Sequence, residues 1–342
     1  MLTRIAMLLV VFAGAACAVR EHRSSPPWQS AATVRLEPQR FARAGDAWTS
    51  PWITRPAFER AVVSWNGGAS FNVELRVAHA TNVSPWLTLA EWPDARGGGG
   101  TLEAAGFGAI AIDEFVAADG CRFDRVQVRL IGDARGLERV FITTSLGGAV
   151  PPGPRPTHDL ALDVPPRSQH EVPPPLGARL CSPTSTCMAL AYFGIDVATV
   201  ALAARSFDAR HRIHGNWPRA IAAAAEHGVS GCVTRIDGWR ALERWLEAGA
   251  VVVASVTVSA GELTGAPYDA TSGHLLVVRG VARTVLVNDP AAATRSEVRR
   301  SYAFDEFERV WFERKGGVAY VFGPAVLRGV RDAVEATPFP PE

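Results

Sequence analysis

Cys181 is followed by Ser182-Pro183-Thr184-Ser185, a run that reads as a helix start. Ser182 suits the N-cap, and Pro183 suits the first helical position, where a missing N–H costs nothing. A cysteine there sits at the positive end of the helix dipole. Its thiolate is stabilised by free N–H groups, which lowers the thiol pKa and gives a nucleophile at neutral pH. Such a nucleophile needs a base. Among eight histidines, His274 stands out because it opens the apolar run Leu275-Leu276-Val277-Val278 directly after Ser272-Gly273.

A second run, Val285-Leu286-Val287, ends in Asn288-Asp289-Pro290, and only a short turn separates the two. A hairpin in which Val278 faces Val285 sets His274 opposite Asp289 at its open end. A carboxylate there fixes the imidazole tautomer and stabilises an imidazolium opposite the thiolate. A slip of one residue would point the two side chains to opposite faces. Gln169, in the Pro-rich stretch before Cys181, carries an amide able to donate to the oxyanion of a tetrahedral intermediate.

The elements around these residues come in two textures. From Val34 to Thr144, apolar and polar residues alternate in short runs such as Phe71 to Val77 and Arg125 to Leu130, broken by Gly, Pro, Asn and Asp. That period of two argues for an antiparallel β-sandwich. Trp28, Trp48, Trp52, Trp65, Trp86 and Trp92 fall in or beside this half, as core filling first and as sugar platforms second. The run Gly97 to Gly100 lacks a following Lys-Ser/Thr and reads as a loop.

Four prolines between Pro151 and Pro156 mark a stiff connector. Beyond it, helices are expected over Pro183 to Phe193 (closed by Gly194), Val197 to Ser206, Trp217 to His227 and Trp239 to Ala248. Strands are expected over Val251 to Val258, Leu275 to Val281, Val285 to Val287 and Val318 to Phe322. Helices first and strands after them imply an α+β fold.

Four segments, Ser168-Gln169, Cys181 to Leu190, Gly273 to Val278 and Val287 to Ala291, resemble in order and spacing the peptidase family thirty-nine-like branch of papain-like cysteine peptidases. That family includes the bacteriocin-processing double-glycine peptidases. The resemblance covers about residues 160 to 325 and implies Cys181 as nucleophile, His274 as general acid/base, Asp289 as orienting residue and Gln169 in the oxyanion hole. Gly215 to Pro218 and Gly261 to Tyr268 also resemble stretches of exported actinobacterial members with a β-rich N-terminal half. Ser182 stands where the bacteriocin-processing subgroup has Gly, and no transporter spans follow, which points away from leader removal.

The expected organisation is a signal peptide over 1–18, a β-sandwich domain over 28–147, a linker over 148–160, a papain-like peptidase domain over 161–326 and a tail over 327–342. Arg4, the apolar run Ile5 to Phe12 and the small residues Ala13 to Ala18 make the export signal, and the run is too short to span a bilayer. Secretion or a cell-envelope location follows, with Cys17 as an alternative lipid-anchoring point. With Cys17 removed, Cys121, Cys181, Cys187 and Cys232 remain. A Cys187–Cys232 disulfide and a set of free thiols are equal alternatives.

At 342 residues, 48% hydrophobic and 20% charged, the chain is long enough for two packed domains, and its net charge of +1 offers no field for nucleic acid. His211 and His214 lack a third metal ligand of suitable spacing, and Asp305, Glu306 and Glu308 read as a solvated face. No cofactor is implied. The expected substrate is a peptide or protein, with a cell-wall glycan or protein as the partner open to the β-rich half. Acyl transfer or cell-wall amidase chemistry by the same residues, and an inactive envelope-binding protein, are the competing functions.

Overall fold

The computed structural model describes residues 32–93 and 100–336. The expected export signal with Cys17, Trp28 and most of the glycine run at 97–100 lie outside the described residues.

Alternation builds the first half. In Ser70–His79, Phe71, Val73, Leu75 and Val77 are buried while Asn72 is exposed. This strand pairs with Phe123–Asp133 at the centre of one antiparallel sheet. A second sheet runs through Thr33–Leu36, Leu137–Ser145, Arg60–Gly67 and Glu114–Ala117. The two pack face to face: Trp65 of the second meets Phe71 and Trp92 of the first edge-on, with centroids 5.8 and 6.0 Å apart. Aromatic pairs of this kind add about 0.5–1.5 kcal/mol each beyond area burial. The remaining described indoles of this half carry guanidinium groups. Arg43 lies over Trp48 at 3.7 Å, and Arg76 over Trp52 and Trp86 at 4.9 and 4.5 Å, so these rings are engaged within the protein.

The second half has one antiparallel sheet in the order Gly231–Arg235, Val318–Phe322, Val251–Val258, Thr271–Val281, Val285–Asn288 and Arg299–Tyr302. Its longer helices are α1 (Cys181–Tyr192), α2 (Thr199–Ser206), α3 (Trp217–Ala225) and α4 (Trp239–Glu247). Both faces of the sheet's centre are covered, so the strands Val251–Val258 and Val318–Phe322 are near-continuous apolar runs. Val251, Val253, Leu275 and Val277 pack in one cluster with Met188 of α1 and Ile221 of α3. Val252, Leu276 and Val278 pack in the other with Trp239 and Trp245 of α4 and with Trp311. The strands Val251–Val258 and Val318–Phe322 have the bounds expected from sequence.

Two local expectations are corrected. Helix α1 begins at Cys181 with Leu180 in the cap position, because the Ser182 hydroxyl is buried against the Tyr320 hydroxyl at 3.0 Å instead of capping the helix. The hairpin has Val278 facing Val287, two residues from the expected register, and shifts again at Arg279. An even slip keeps each side chain on its face, so His274 and Asp289 still meet. All four described cysteines are free thiols.

The halves are joined by more than the connector. Gly231–Arg235 is an edge strand, and side chains of the first half take the place of a missing neighbour strand. Asn66 donates to Gly231 O at 2.9 Å and accepts from Gly231 N at 3.3 Å. Ser64 accepts from Val233 N, and Thr143 donates to Val233 O. The buried Arg219 of α3 donates to the carbonyls of Glu91 and Pro93. Asp113 accepts from Trp217 N at the start of α3, at 2.6 Å. After the last sheet strand the chain crosses back, and Arg331–Asp332 pairs in parallel with Thr33–Leu36. Connector residue Pro152 accepts from Trp239 N at 2.9 Å.

Asn66→Ala leaves the donor and acceptor of Gly231 buried and unmatched, so it should lower the unfolding free energy by about 3 kcal/mol in chemical denaturation. Burial pushes the Asp113 carboxyl up to about 7, with Glu114 and Asp208 also raising it against the Trp217 N–H. The fold therefore holds that proton between about 4, the ordinary unfolded value, and about 7. Ionisation costs stability across that window and fully above it. Asp113→Asn should raise the thermal midpoint relative to the parent at pH 8, and the gain should vanish at pH 3.5.

Candidate active site

The site forms where three segments converge on the first turn of α1. A tight turn at Gly177–Arg179 leads into Cys181. Gly177 has no alternative there, since a Cβ would lie 2.1 Å from Val172 O and 2.8 Å from Gln169 O. This close approach packs the turn against Gln169–Glu171. Ser168 caps that turn by accepting from His170 N and donates to Ala292 O at 2.5 Å, while Gln169 N donates to Pro290 O at 2.8 Å. Gln169 is thus fixed to the segment just after Asp289. Its side chain is buried, and its Oε1 accepts no hydrogen bond.

His274 lies in Thr271–Val281, opposite Val256 of the neighbouring strand, and is buried. Its Nε2 is 2.8 Å from Asp289 Oδ1, which leaves Nδ1 clear of the carboxylate, and the ring acts on the neighbouring Cys181 thiol. Strand and helix are tied beside this contact by Ser185, which donates to Leu275 O at 3.0 Å. Asp289 has no exposed surface. Its Oδ1 also accepts from Ala291 N at 3.0 Å, and its Oδ2 accepts from the hydroxyls of Tyr302 and Tyr268 at 2.9 and 3.2 Å. The Tyr268 ring packs at an angle on His274, with centroids 4.8 Å apart. The segment from Gly261 to Asp269 lines an open groove of about 520 Å³, with Tyr268 in its wall.

The charges are arranged with one polarity. Burial alone would raise the Cys181 thiol, but the His274 hydrogen bond and charge, with the N–H groups of Leu275 and Ser182, bring it below its ordinary value. Burial opposes charge on His274, and Asp289 and Cys181 together overcome it, pushing the imidazole up to about 10. Burial also opposes the Asp289 carboxylate, which His274, Ala291 N and Tyr302 hold below the usual range. The three groups are one coupled system, in which each charge favours the other two: thiolate, imidazolium and carboxylate support one another.

All four residues singled out in the sequence fall in this region: His274 and Asp289 are hydrogen-bonded, Cys181 is electrostatically coupled to His274, and Gln169 stands on the adjoining turn. Tyr268 and Tyr302 were not foreseen. Tyr268 ends the segment Gly261 to Tyr268 that carried a resemblance, whereas Tyr302 closes the polar run Arg299-Arg300-Ser301 without a pattern to mark it. The His211 and His214 rings go to different partners, Asp208 at 2.9 Å and Ala203 O at 3.1 Å. Glu306 accepts from Thr264, and Glu308 accepts from Trp239 Nε1. The ring of His158 has a carboxylate at each nitrogen, Glu243 at 3.2 Å and Glu247 at 3.1 Å, and Arg240 holds the other Glu243 oxygen.

A cysteine at a helix start, with a histidine and a carboxylate on the sheet packed against it, is the arrangement of papain-like α+β proteins. Residues 161–319 match the Peptidase_C39 like family. Solved structures with similarity include a double glycine motif protease from an AMS/PCAT transporter in complex with the leader peptide. It is 18% identical, with 50% of this chain and 97% of that chain covered and a TM-score of 0.32. Another is the peptidase domain of Streptococcus ComA, a bifunctional ABC transporter of a quorum-sensing pathway. It is 15% identical, with 43% and 93% covered and a TM-score of 0.31. No curated protein matches the chain. No helix among the described residues is long and apolar enough to cross a membrane.

Burial pushes the Cys187 thiol up to about 11 and the Cys232 thiol higher still. Brief iodoacetamide treatment of the folded protein at pH 6.5, followed by mass mapping, should therefore modify Cys181 while Cys187 and Cys232 stay protected. Equal labelling of the three would show that Cys181 is not tuned by its surroundings.

Proposed function

We propose that the chain is an exported cysteine peptidase that hydrolyses a peptide or isopeptide bond through Cys181, His274 and Asp289. The observation that carries this reading is the buried His274–Asp289 hydrogen bond at 2.8 Å, set against the Cys181 thiol whose ionisation the ring favours. In this mechanism the thiolate of Cys181 attacks the scissile carbonyl carbon and the oxygen takes up the negative charge. The Cys181 N–H and the Gln169 amide donate to that oxygen. His274 Nδ1–H then protonates the leaving amine as the C–N bond breaks, which leaves a thioester on Cys181. Water attacks the thioester, giving its proton to His274, and the acid product leaves with the thiolate restored.

Asp289 holds the ring by Nε2–H throughout, so that Nδ1 stays aimed at the sulfur. In this reading the sandwich at 28–147 and the peptidase domain at 161–326 are separate domains joined by the linker at 148–160. The β-rich domain serves first as the seat of the peptidase sheet, and an envelope glycan or protein remains its proposed outside partner.

The test is cleavage of a fluorogenic peptide library, with the new termini identified by mass. Cys181→Ala should fold and abolish turnover. Gln169→Ala should keep weak activity, about 100- to 1000-fold below the parent, as for loss of one oxyanion donor. A fully active Cys181→Ala variant would end the proposal, and products capped by an added amine instead of a free carboxylate would redirect it to acyl transfer.

A further inference from the structure

Histidine orientation is usually credited to a single carboxylate, yet here the carboxylate is itself held. Asp289 Oδ2 accepts from two phenols carried by different elements, Tyr302 on the edge strand Arg299–Tyr302 and Tyr268 on the loop leading into Thr271–Val281. With both in place, the carboxylate is held at the oxygen that His274 does not use. We infer that Tyr268 and Tyr302 are positioning residues that lock the Asp289 carboxylate, so that Oδ1 stays aimed at His274 and the imidazolium that activates Cys181 is sustained. The inference rests on the proposed roles of Cys181, His274 and Asp289.

Three observations support it. First, a carboxylate with no exposure cannot turn to water, so its four acceptor contacts, His274, Ala291 N and the two hydroxyls, define its orientation. Second, both phenols are raised above their ordinary pKa, by burial first and then by the Asp289 charge, so they remain donors at any pH the protein meets. Third, each ring is separately seated. Tyr302 stacks on Phe307 with planes 11° apart, and Tyr268 packs against the His274 ring. Removing only the hydroxyl therefore leaves the ring packing in place and isolates the hydrogen bond. The titratable groups facing the Cys181–His274–Asp289 line are Tyr268, Tyr302 and Tyr320, with Arg300 acting on Tyr302.

The two possible effects of a lost hydroxyl differ in sign. If the phenols only drain charge from Asp289, removing one makes the carboxylate a stronger partner for His274 and moves Cys181 ionisation to lower pH. If they position it, the carboxylate turns, the imidazolium loses support and Cys181 ionisation moves to higher pH.

The experiment is the pH dependence of Cys181 alkylation by iodoacetamide, which needs no substrate, in the parent, Tyr302→Phe, Tyr268→Phe and the double variant. Protection of Cys187 and Cys232 serves as the fold control. Each single variant should move the acid limb up by about one pH unit, and the double variant further, as for loss of a hydrogen bond to a charged group. On a cleaved peptide, Tyr302→Phe should lower kcat about tenfold with KM unchanged, as for an interaction that matters only to the reacting state. An unmoved acid limb, or one moved to lower pH, overturns the positioning role even if the parent is an active peptidase. A parent whose Cys181 ionises as an ordinary thiol overturns the triad itself, and the role of the phenols with it.

Discussion

A fully buried carboxylate is costly unless every lone pair is answered, and Asp289 sets the terms for the whole second half. Its charge is met by an imidazole, a backbone N–H and two phenols, drawn from the hairpin, the turn after it, the loop before it and the edge strand beyond it. Each of those elements must keep its place for the charge to stay buried. The same charge raises His274, and His274 in turn lowers Cys181. The reactivity of the sulfur is therefore a property of the sheet, transmitted to the helix through His274 and Leu275.

The sheet in its turn depends on the first half. An exposed edge strand offers unpaired N–H and C=O groups, and proteins usually blunt such edges with charge, proline or a covering segment. Here Asn66, Ser64 and Thr143 meet the backbone of Gly231 and Val233 with side chains. Side chains give directional bonds without extending the sheet across the two halves, so each half keeps its own strand direction. Arg219 and Asp113 add a second seam at α3, remote from the sheet edge.

What the sequence disclosed follows from where forces are local. The runs Val251 to Val258 and Val318 to Phe322 are buried on both faces, and an unbroken β-branched run carries that information within itself. The start of α1 was placed late because the Ser182 hydroxyl answers to Tyr320, a partner far along the chain. The hairpin register was off by two because the irregularity at Arg279 has no mark in composition, yet the period of two preserved the facing of His274 and Asp289. Tyr302 stayed hidden because one buried tyrosine at the end of a polar edge strand breaks no pattern. The pairing of Arg331–Asp332 with Thr33–Leu36 spans nearly the whole chain and rests on two residues, too few for any periodicity.

That last pairing also gives the molecule the topology of a closed loop. The first and last described strands are neighbours in one sheet, and Arg35 and Asp332 clasp across them at 2.7 Å. Order along the chain is therefore nearly independent of order in space. A gene rearranged to begin in the connector and to join the first and last described strands by a short bridge would encode the same contacts with the peptidase half synthesised first. In such a permuted chain the edge strand Gly231–Arg235 would emerge before Asn66, Ser64 and Thr143 exist to cover it, which makes vectorial synthesis itself a variable in how safely that edge is hidden.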